Sequence, residues 1–317
     1  MRYFLLVLVA GCAMSGLDAM EEAPAEVGEI VALDTVAAIA ACPVGQWCIE
    51  APPVAGTPLL HAVWAVSAAD VFAVGDAGTI LRRINDGWTV MASGTTRNLR
   101  GVWAESASNV WAVGVSGTIL RFNGTAWSPI TGIATSDIDA VWGSGPSDVW
   151  LVGGTTVQHW NGTGFSATSV GGALLSVSGT GPRDVWVTGE NLNLRRFNGT
   201  SWTTVNPGAG TSTFFSVLAL TTTEVWAADF NPGKEAMHLT GGRWVAQRTG
   251  GGIFNGMAAF SASDIWAAGG SRVGQWNGTA WTITQPFGSN ASLWSVTTTP
   301  GHAWIAGSNA LIAHRAF

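Results

Sequence analysis

The sequence predicts an all-β fold: a seven-bladed β-propeller of four-stranded antiparallel blades, closed by an N-terminal strand (residues 46–50) in the last blade. Three observations lead there. Of 317 residues, 47% are hydrophobic and only 11% charged, the opposite of the balance that keeps a chain disordered. The 42 glycines disfavour long helices, and 18 tryptophans point to one packing unit used many times. A single motif recurs with a period of about 40 residues, the length of a propeller blade made of short strands.

In chain order, the first segment reads as an export signal. Arg2 precedes the apolar run Phe4-Leu5-Leu6-Val7-Leu8-Val9-Ala10, which ends on Gly11-Cys12. Val9-Ala10-Gly11-Cys12 resembles the lipobox of bacterial lipoproteins; an ordinary signal peptide is the alternative. The resemblance implies a signal peptide over residues 1–11, lipidation of Cys12, and outer-membrane placement, since Ala13 rather than Asp follows the cysteine. Each buried acyl methylene is worth about 0.8 kcal/mol, so more than one chain anchors stably. Residues 12–41 would comprise the lipidated cysteine and an acidic, Ala-rich solvated tether, and 42–317 the propeller. The lipid would be the only membrane contact, because no apolar run reaches the roughly 18 residues that span a bilayer.

Lipidation of Cys12 leaves two of the three cysteines, Cys42 and Cys48. In an oxidising compartment these are expected to pair, closing a small loop worth about 2 kcal/mol.

The repeated motif is Asp70-Val71-Phe72, Asn109-Val110-Trp111, Asp148-Val149-Trp150, Asp184-Val185-Trp186, Glu224-Val225-Trp226, Asp264-Ile265-Trp266 and His302-Ala303-Trp304. Its acids are read as accepting local backbone N–H bonds before the second strand. The second repeat shows four strand-like runs, Leu99–Ala104, Val110–Val113, Thr118–Phe122 and Ala126–Ile130. Between the last two lies Asn123-Gly124, read as a hairpin turn with both residues at positive φ; Asn161-Gly162, Asn198-Gly199 and Asn277-Gly278 repeat it. Val110-Trp111-Ala112-Val113 is apolar on both faces, as a strand buried between neighbouring blades must be. The seventh repeat has three strands and stops, lacking the outer strand that carries Trp88, Trp127, Phe165, Trp202, Trp244 and Trp281 elsewhere. Gln46-Trp47-Cys48-Ile49 stands before the first repeat and supplies it, so the ring closes without an open edge.

Segments such as Gly117-Thr118-Ile119-Leu120-Arg121-Phe122-Asn123-Gly124-Thr125-Ala126-Trp127 resemble Asp-box (BNR) repeats and the related Ycf48-like propellers. With the lipobox and the Cys42–Cys48 spacing, the arrangement also resembles the repeat lipoproteins of Gram-negative bacteria. The resemblance implies a surface propeller and no particular chemistry.

Charge and composition narrow the function. From Cys42 onward, 14 acids face 13 bases, and Lys234 is the only lysine, so clustered cations for nucleic acid are missing. A sialidase-like enzyme would need a tyrosine nucleophile, and the only tyrosine is Tyr3 in the signal segment. Asp137 and Asp139 flank an inner strand and are expected to edge the channel; glycoside hydrolysis needs two converging carboxylates. His61, His159, His238, His302 and His314 show no metal-ligand spacing, so neither metal nor cofactor is expected.

The expectation is a monomeric, non-catalytic scaffold for a protein partner, with a glycan-binding lectin as the alternative. Recognition is expected on the face that displays the loops between second and third strands and the blade-to-blade connections. Arg97, Asp137, Glu190, Arg248 and Arg272 are placed there, with the loop Asp229-Phe230-Asn231-Pro232-Gly233-Lys234-Glu235.

Overall fold

A computed structural model describes residues 42–191, 193–208, 213–229, 236–248 and 253–317, with Asp229 described by its backbone alone. Cys12, the tether, Lys234 and Glu235 lie outside the described residues. The described residues form seven four-stranded antiparallel sheets; six run in chain order from an inner to an outer strand, and the seventh takes its outer strand from residues that precede the first sheet. The second repeat contains Leu99–Ser106, Asn109–Gly114, Thr118–Phe122 and Trp127–Pro129. Its second strand is buried along its whole length, as two-sided apolarity requires. No helix of the described residues is long and apolar enough to cross a membrane.

The ring closes as the sequence predicts. Cys48–Glu50 pairs antiparallel with Ile312–Ala316, Cys48 opposite His314 and Glu50 opposite Ile312. The Gly45 N–H extends the pairing to the Ala316 carbonyl at 2.7 Å. Cys42 and Cys48 are disulfide-bonded with their Cα atoms 5.8 Å apart. Glu50 also reaches the neighbouring blade, accepting bonds from the Trp88 indole and from Arg83 Nε. Arg83 is 6% exposed, so Glu50 and Asp86 supply the anionic partners a buried guanidinium needs.

One aromatic contact recurs at every seam. The outer-strand ring stands edge-on to the second-strand ring of the preceding blade: Trp127 on Phe72, Phe165 on Trp111, Trp202 on Trp150, Trp244 on Trp186, Trp281 on Trp226, Trp88 on Trp304, and Trp47 on Trp266. Centroids lie 5.5–6.4 Å apart with planes at 75–87°, a geometry that sets the positive ring edge against the negative face. Five of these seams join blades consecutive in the chain, Trp88 on Trp304 joins the first blade to the last, and Trp47 at the closing strand provides the seventh.

The acids of the repeated motif do not bond mainly to local backbone. They reach across to the third strand: Asp70 accepts two bonds from Arg82 (2.9 and 2.8 Å), Asp148 one from His159 (2.7 Å) and Asp184 one from Arg196 (2.7 Å). Asn109 meets Arg121, Glu224 meets His238, Asp264 meets Gln275 and His302 meets His314. Strand register explains the choice. The third-strand residue is the cross-strand partner of the motif's aromatic, as in Trp150 with His159 and Trp186 with Arg196. Residues i and i+2 project from one strand face, so a single side chain covers the ring and meets the acid. His159 stacks on Trp150 at 3.8 Å, and Arg196 lies 5.0 Å from the centroid of Trp186. The local backbone bonds come instead from Ser67, whose hydroxyl accepts the N–H groups of Ala69 and Asp70.

The Asn-Gly turns also differ from expectation. Only the glycine takes positive φ, 95° at Gly124, and the connection runs over four residues, Asn123–Ala126. The Asn123 side-chain oxygen accepts the N–H groups of Thr125 and Ala126, and Asn161, Asn198 and Asn277 each accept two in the same way. Asparagine is selected as a side-chain cap rather than for a left-handed backbone. The two-residue turn does occur, at Asn85-Asp86 and Gly241-Gly242, where both residues have positive φ.

Candidate binding site at the channel mouth

A residue locked between blades stands at the start of each inner strand, or two residues before it in the third and sixth blades: Leu60, Leu99, Ile138, Leu174, Phe214, Phe254 and Leu293 are all at most 2% exposed. The residue that follows is different in every blade. It is His61, Arg100, Asp139, Leu175, Phe215, Asn255 and Trp294 in turn, and all seven line a central cavity of about 440 Å³. In five blades the backbone makes this residue an insertion. Register jumps from Leu60 to Ala62 opposite consecutive partners, and likewise across Arg100, Leu175, Phe215 and Trp294. A bulge leaves its extra residue out of the ladder and re-aims the side chain, here toward the channel. The next position is always small (Ala62, Gly101, Ala140, Ser176, Ser216, Gly256, Ser295), which lets the strands crowd around the axis.

Two polar groups stand at the mouth. His61 Nε2 lies 2.9 Å from Asp76 Oδ1, and the second Asp76 oxygen accepts the Leu59 N–H at 3.3 Å. The His61 ring meets Trp294 edge-on, with centroids 5.9 Å apart. Arg100 forks between Asp137 Oδ2 (3.0 Å) and Asp139 Oδ1 (2.5 Å), and Asp137 Oδ1 accepts the Ser116 N–H at 2.8 Å. Burial pushes the Asp139 carboxyl above the usual range, and the hydrogen bond and charge of Arg100 only partly offset this. Asn255 donates to the Leu293 carbonyl at 2.9 Å, tying the sixth blade to the seventh. Leu175 and Phe215 form an apolar arc beside Asp139, and Trp294 is 40% exposed.

Deeper in the channel the blades diverge. Trp64, Trp103 and Trp142 occupy one inner position in the first three blades, and Ser178, Leu218, Ala258 and Thr297 occupy it in the others. Trp64 donates to the Ala104 carbonyl at 3.1 Å. A Cβ on Gly143 would lie 2.6 Å from Trp103, and one on Gly179 2.7 Å from Trp142. Facing the smaller residues, hydroxyls cap channel-side N–H groups across seams: Ser176 and Ser178 accept from Val217 and Ala219, Ser295 and Thr297 from Val63 and Ala65.

Of the residues placed from sequence on the ligand face, Asp137 joins the mouth cluster through Arg100, beside Asp139, which the sequence put at the channel edge with it. Arg97 is exposed and donates to the Ser116 carbonyl at 3.1 Å, so it converges with Asp137 on one loop residue. Glu190 and Arg248 are exposed, and Arg272 is half-buried at the start of a third strand. Asp229 ends a second strand. Among the described residues no three His, Cys, Asp or Glu side chains cluster for a metal. Sequence reading placed Asp139 at the channel edge but passed over Leu175, Phe215, Asn255 and Trp294. The signal was present: one position per repeat carries seven different residues between repeated neighbours.

No family model and no curated protein matches the sequence. The fold has many solved likenesses. Ycf48 bound to a D1 peptide aligns with a TM-score of 0.70 at 13% identity, covering 87% of this chain and 98% of that one. The WD40 β-propeller domain of Doa1 gives 0.68 at 12% identity, covering 85% and 97%. Virginiamycin B lyase from Staphylococcus aureus gives 0.70 at 12% identity, covering 86% and 100%. Such identities speak for architecture alone. The protein is a seven-bladed β-propeller, similar in fold to Ycf48 and to WD40 propellers.

Proposed function

We propose that the protein is a non-catalytic interaction scaffold, tethered at the outer membrane through lipidated Cys12, which holds a segment of a partner protein at the channel mouth. One observation carries the reading: the mouth position differs in all seven blades, while its neighbours repeat because the scaffold consumes them. Loops and rims on a rigid frame are where recognition concentrates, and a cavity of about 440 Å³ falls within the roughly 300–1,000 Å³ of ligand sites. The Ycf48 likeness, solved with a D1 peptide, supports a peptide as the kind of occupant. A repeat lectin would place an exposed ring in several equivalent blades; of the seven varied mouth residues only Phe215 and Trp294 carry a phenyl or indole ring.

The test uses cells expressing the full chain with a photo-crosslinking amino acid at position 294, compared with position 245 on an exposed outer strand. The reading expects a discrete protein adduct from 294 and none from 245. Equal labelling from both positions, or specific capture of glycans on an array, would overturn it. The anchor is tested separately, by radiolabelled fatty-acid uptake that Cys12→Ser abolishes.

A further inference from the structure

The mouth carries an uneven charge. Three carboxylates, Asp76, Asp137 and Asp139, face one guanidinium, Arg100, and the imidazole of His61. Even with the Arg97 guanidinium counted, which bonds the Ser116 carbonyl at the edge of the cluster, negative charge is in excess among the described residues while His61 is neutral. The excess is not shared evenly. Asp76 is held by His61 and the Leu59 N–H, and Asp137 by Arg100 and the Ser116 N–H, so both oxygens of each are engaged. Asp139 is bonded through Oδ1 alone, leaving Oδ2 without a partner among the described residues, on a residue that lines the cavity. Its side chain is 22% exposed, and its raised pKa shows that Arg100 compensates the burial incompletely. Around the ring from Asp139 come Leu175 and Phe215, an apolar arc on the two succeeding blades.

Resting on the scaffold reading, we propose that the mouth selects a cationic protein segment, with a lysine or arginine side chain bonding Asp139 and an adjoining apolar side chain lying against Leu175 and Phe215. The incoming ammonium or guanidinium supplies the partner that Oδ2 lacks, through a charge-assisted hydrogen bond strengthened by partial burial. The apolar arc sets the residue next to the cation. The charge pattern also disfavours acidic segments, because a carboxylate at Asp139 would meet a like charge in a half-buried site.

The experiment measures fluorescence anisotropy of labelled, end-blocked hexapeptides on the full-length protein. One peptide alternates arginine with leucine, a second alternates glutamate with leucine, and unlabelled spermidine competes as a small cation. The arginine peptide is expected to bind and to lose at least about tenfold in affinity in the isosteric Asp139→Asn variant. Leu175→Lys, which places a fixed cation beside Asp139, is expected to weaken it similarly and serves if Asp139→Asn fails to fold. The glutamate peptide is expected to stay free, and equimolar spermidine to leave the complex intact. Glutamate-peptide binding of equal strength, unchanged affinity in folded Asp139→Asn, or displacement by spermidine would each overturn the proposal. If the arginine peptide fails while position 294 still captures a protein in cells, only the cationic selectivity falls; if both fail, the scaffold reading falls with it.

Discussion

Trp47 stands edge-on to Trp266, with centroids 5.5 Å apart and planes at 85°, although the two come from opposite ends of the chain. The same contact joins every other pair of adjacent blades. Closure is therefore a copy of an internal seam rather than a special device, and it should be cooperative with the rest of the ring.

Trp47→Ala is expected to destabilise the protein by about 2–4 kcal/mol, within the range of large-to-small core changes. Trp47→Phe should recover most of the loss, since Phe165 fills the equivalent place in the third blade. Urea unfolding midpoints of the two variants check this; equal midpoints for wild type and Trp47→Ala would mean the closing strand contributes nothing. Reducing Cys42–Cys48 should cost about a further 2 kcal/mol.

Asp184 is 6% exposed and accepts from Arg196 Nε and the Thr180 hydroxyl, both at 2.7 Å. Asp184→Ala leaves that guanidinium over Trp186 without its anion, at an expected cost of about 3 kcal/mol. Asp184→Asn keeps an acceptor and should cost clearly less. Denaturant titration of both variants orders them.

Much of this architecture was legible because it repeats. The Trp111-type aromatics, the outer-strand ring and the missing strand of the last repeat are each counted seven times or conspicuously absent once. What escaped was non-local pairing. That Asp70 bonds Arg82 depends on third-strand register, which a pattern read one strand at a time does not supply. The four-residue turn at Asn123 was misread because Asn-Gly suits two turn geometries and only the neighbouring residues decide between them. The mouth escaped for a different reason. Periodicity rewards sameness, and a bulge residue such as Leu175 or Trp294 looks like one more strand residue until the register jump is seen.

Gly143→Ala offers a sharp packing test. A Cβ there would lie 2.6 Å from the Trp103 ring and 2.8 Å from the Asp148 carbonyl, whereas one on Gly145 meets nothing within 4 Å. Overpacking predicts about 1–3 kcal/mol of destabilisation for Gly143→Ala and far less for Gly145→Ala. Thermal melts of the pair decide it.

His314 gives stability a pH dependence. It stacks on Trp304, and burial, followed by the charges of His302 and Arg83, lowers its pKa from 6.5 to about 4. The depressed value means the unfolded chain binds this proton more readily. The contribution is therefore complete above pH 6.5 and is lost as pH falls toward 4. The melting temperature of wild type should drop across that window, and His314→Gln should flatten the drop. A wild-type profile that stays level between pH 6.5 and 4 would contradict the assignment.

The most direct measurement of the central claim, that the repeated residues build the ring and the varied one binds, is Trp294→Ala read twice on one sample. Unfolding free energy should change by about 1 kcal/mol or less, as for a partly exposed residue, against about 3–5 kcal/mol for Trp266→Ala. Partner capture by a photo-crosslinker placed at neighbouring position 61 should collapse in the same variant. Undiminished capture in Trp294→Ala, or a stability loss matching that of Trp266→Ala, would contradict the account.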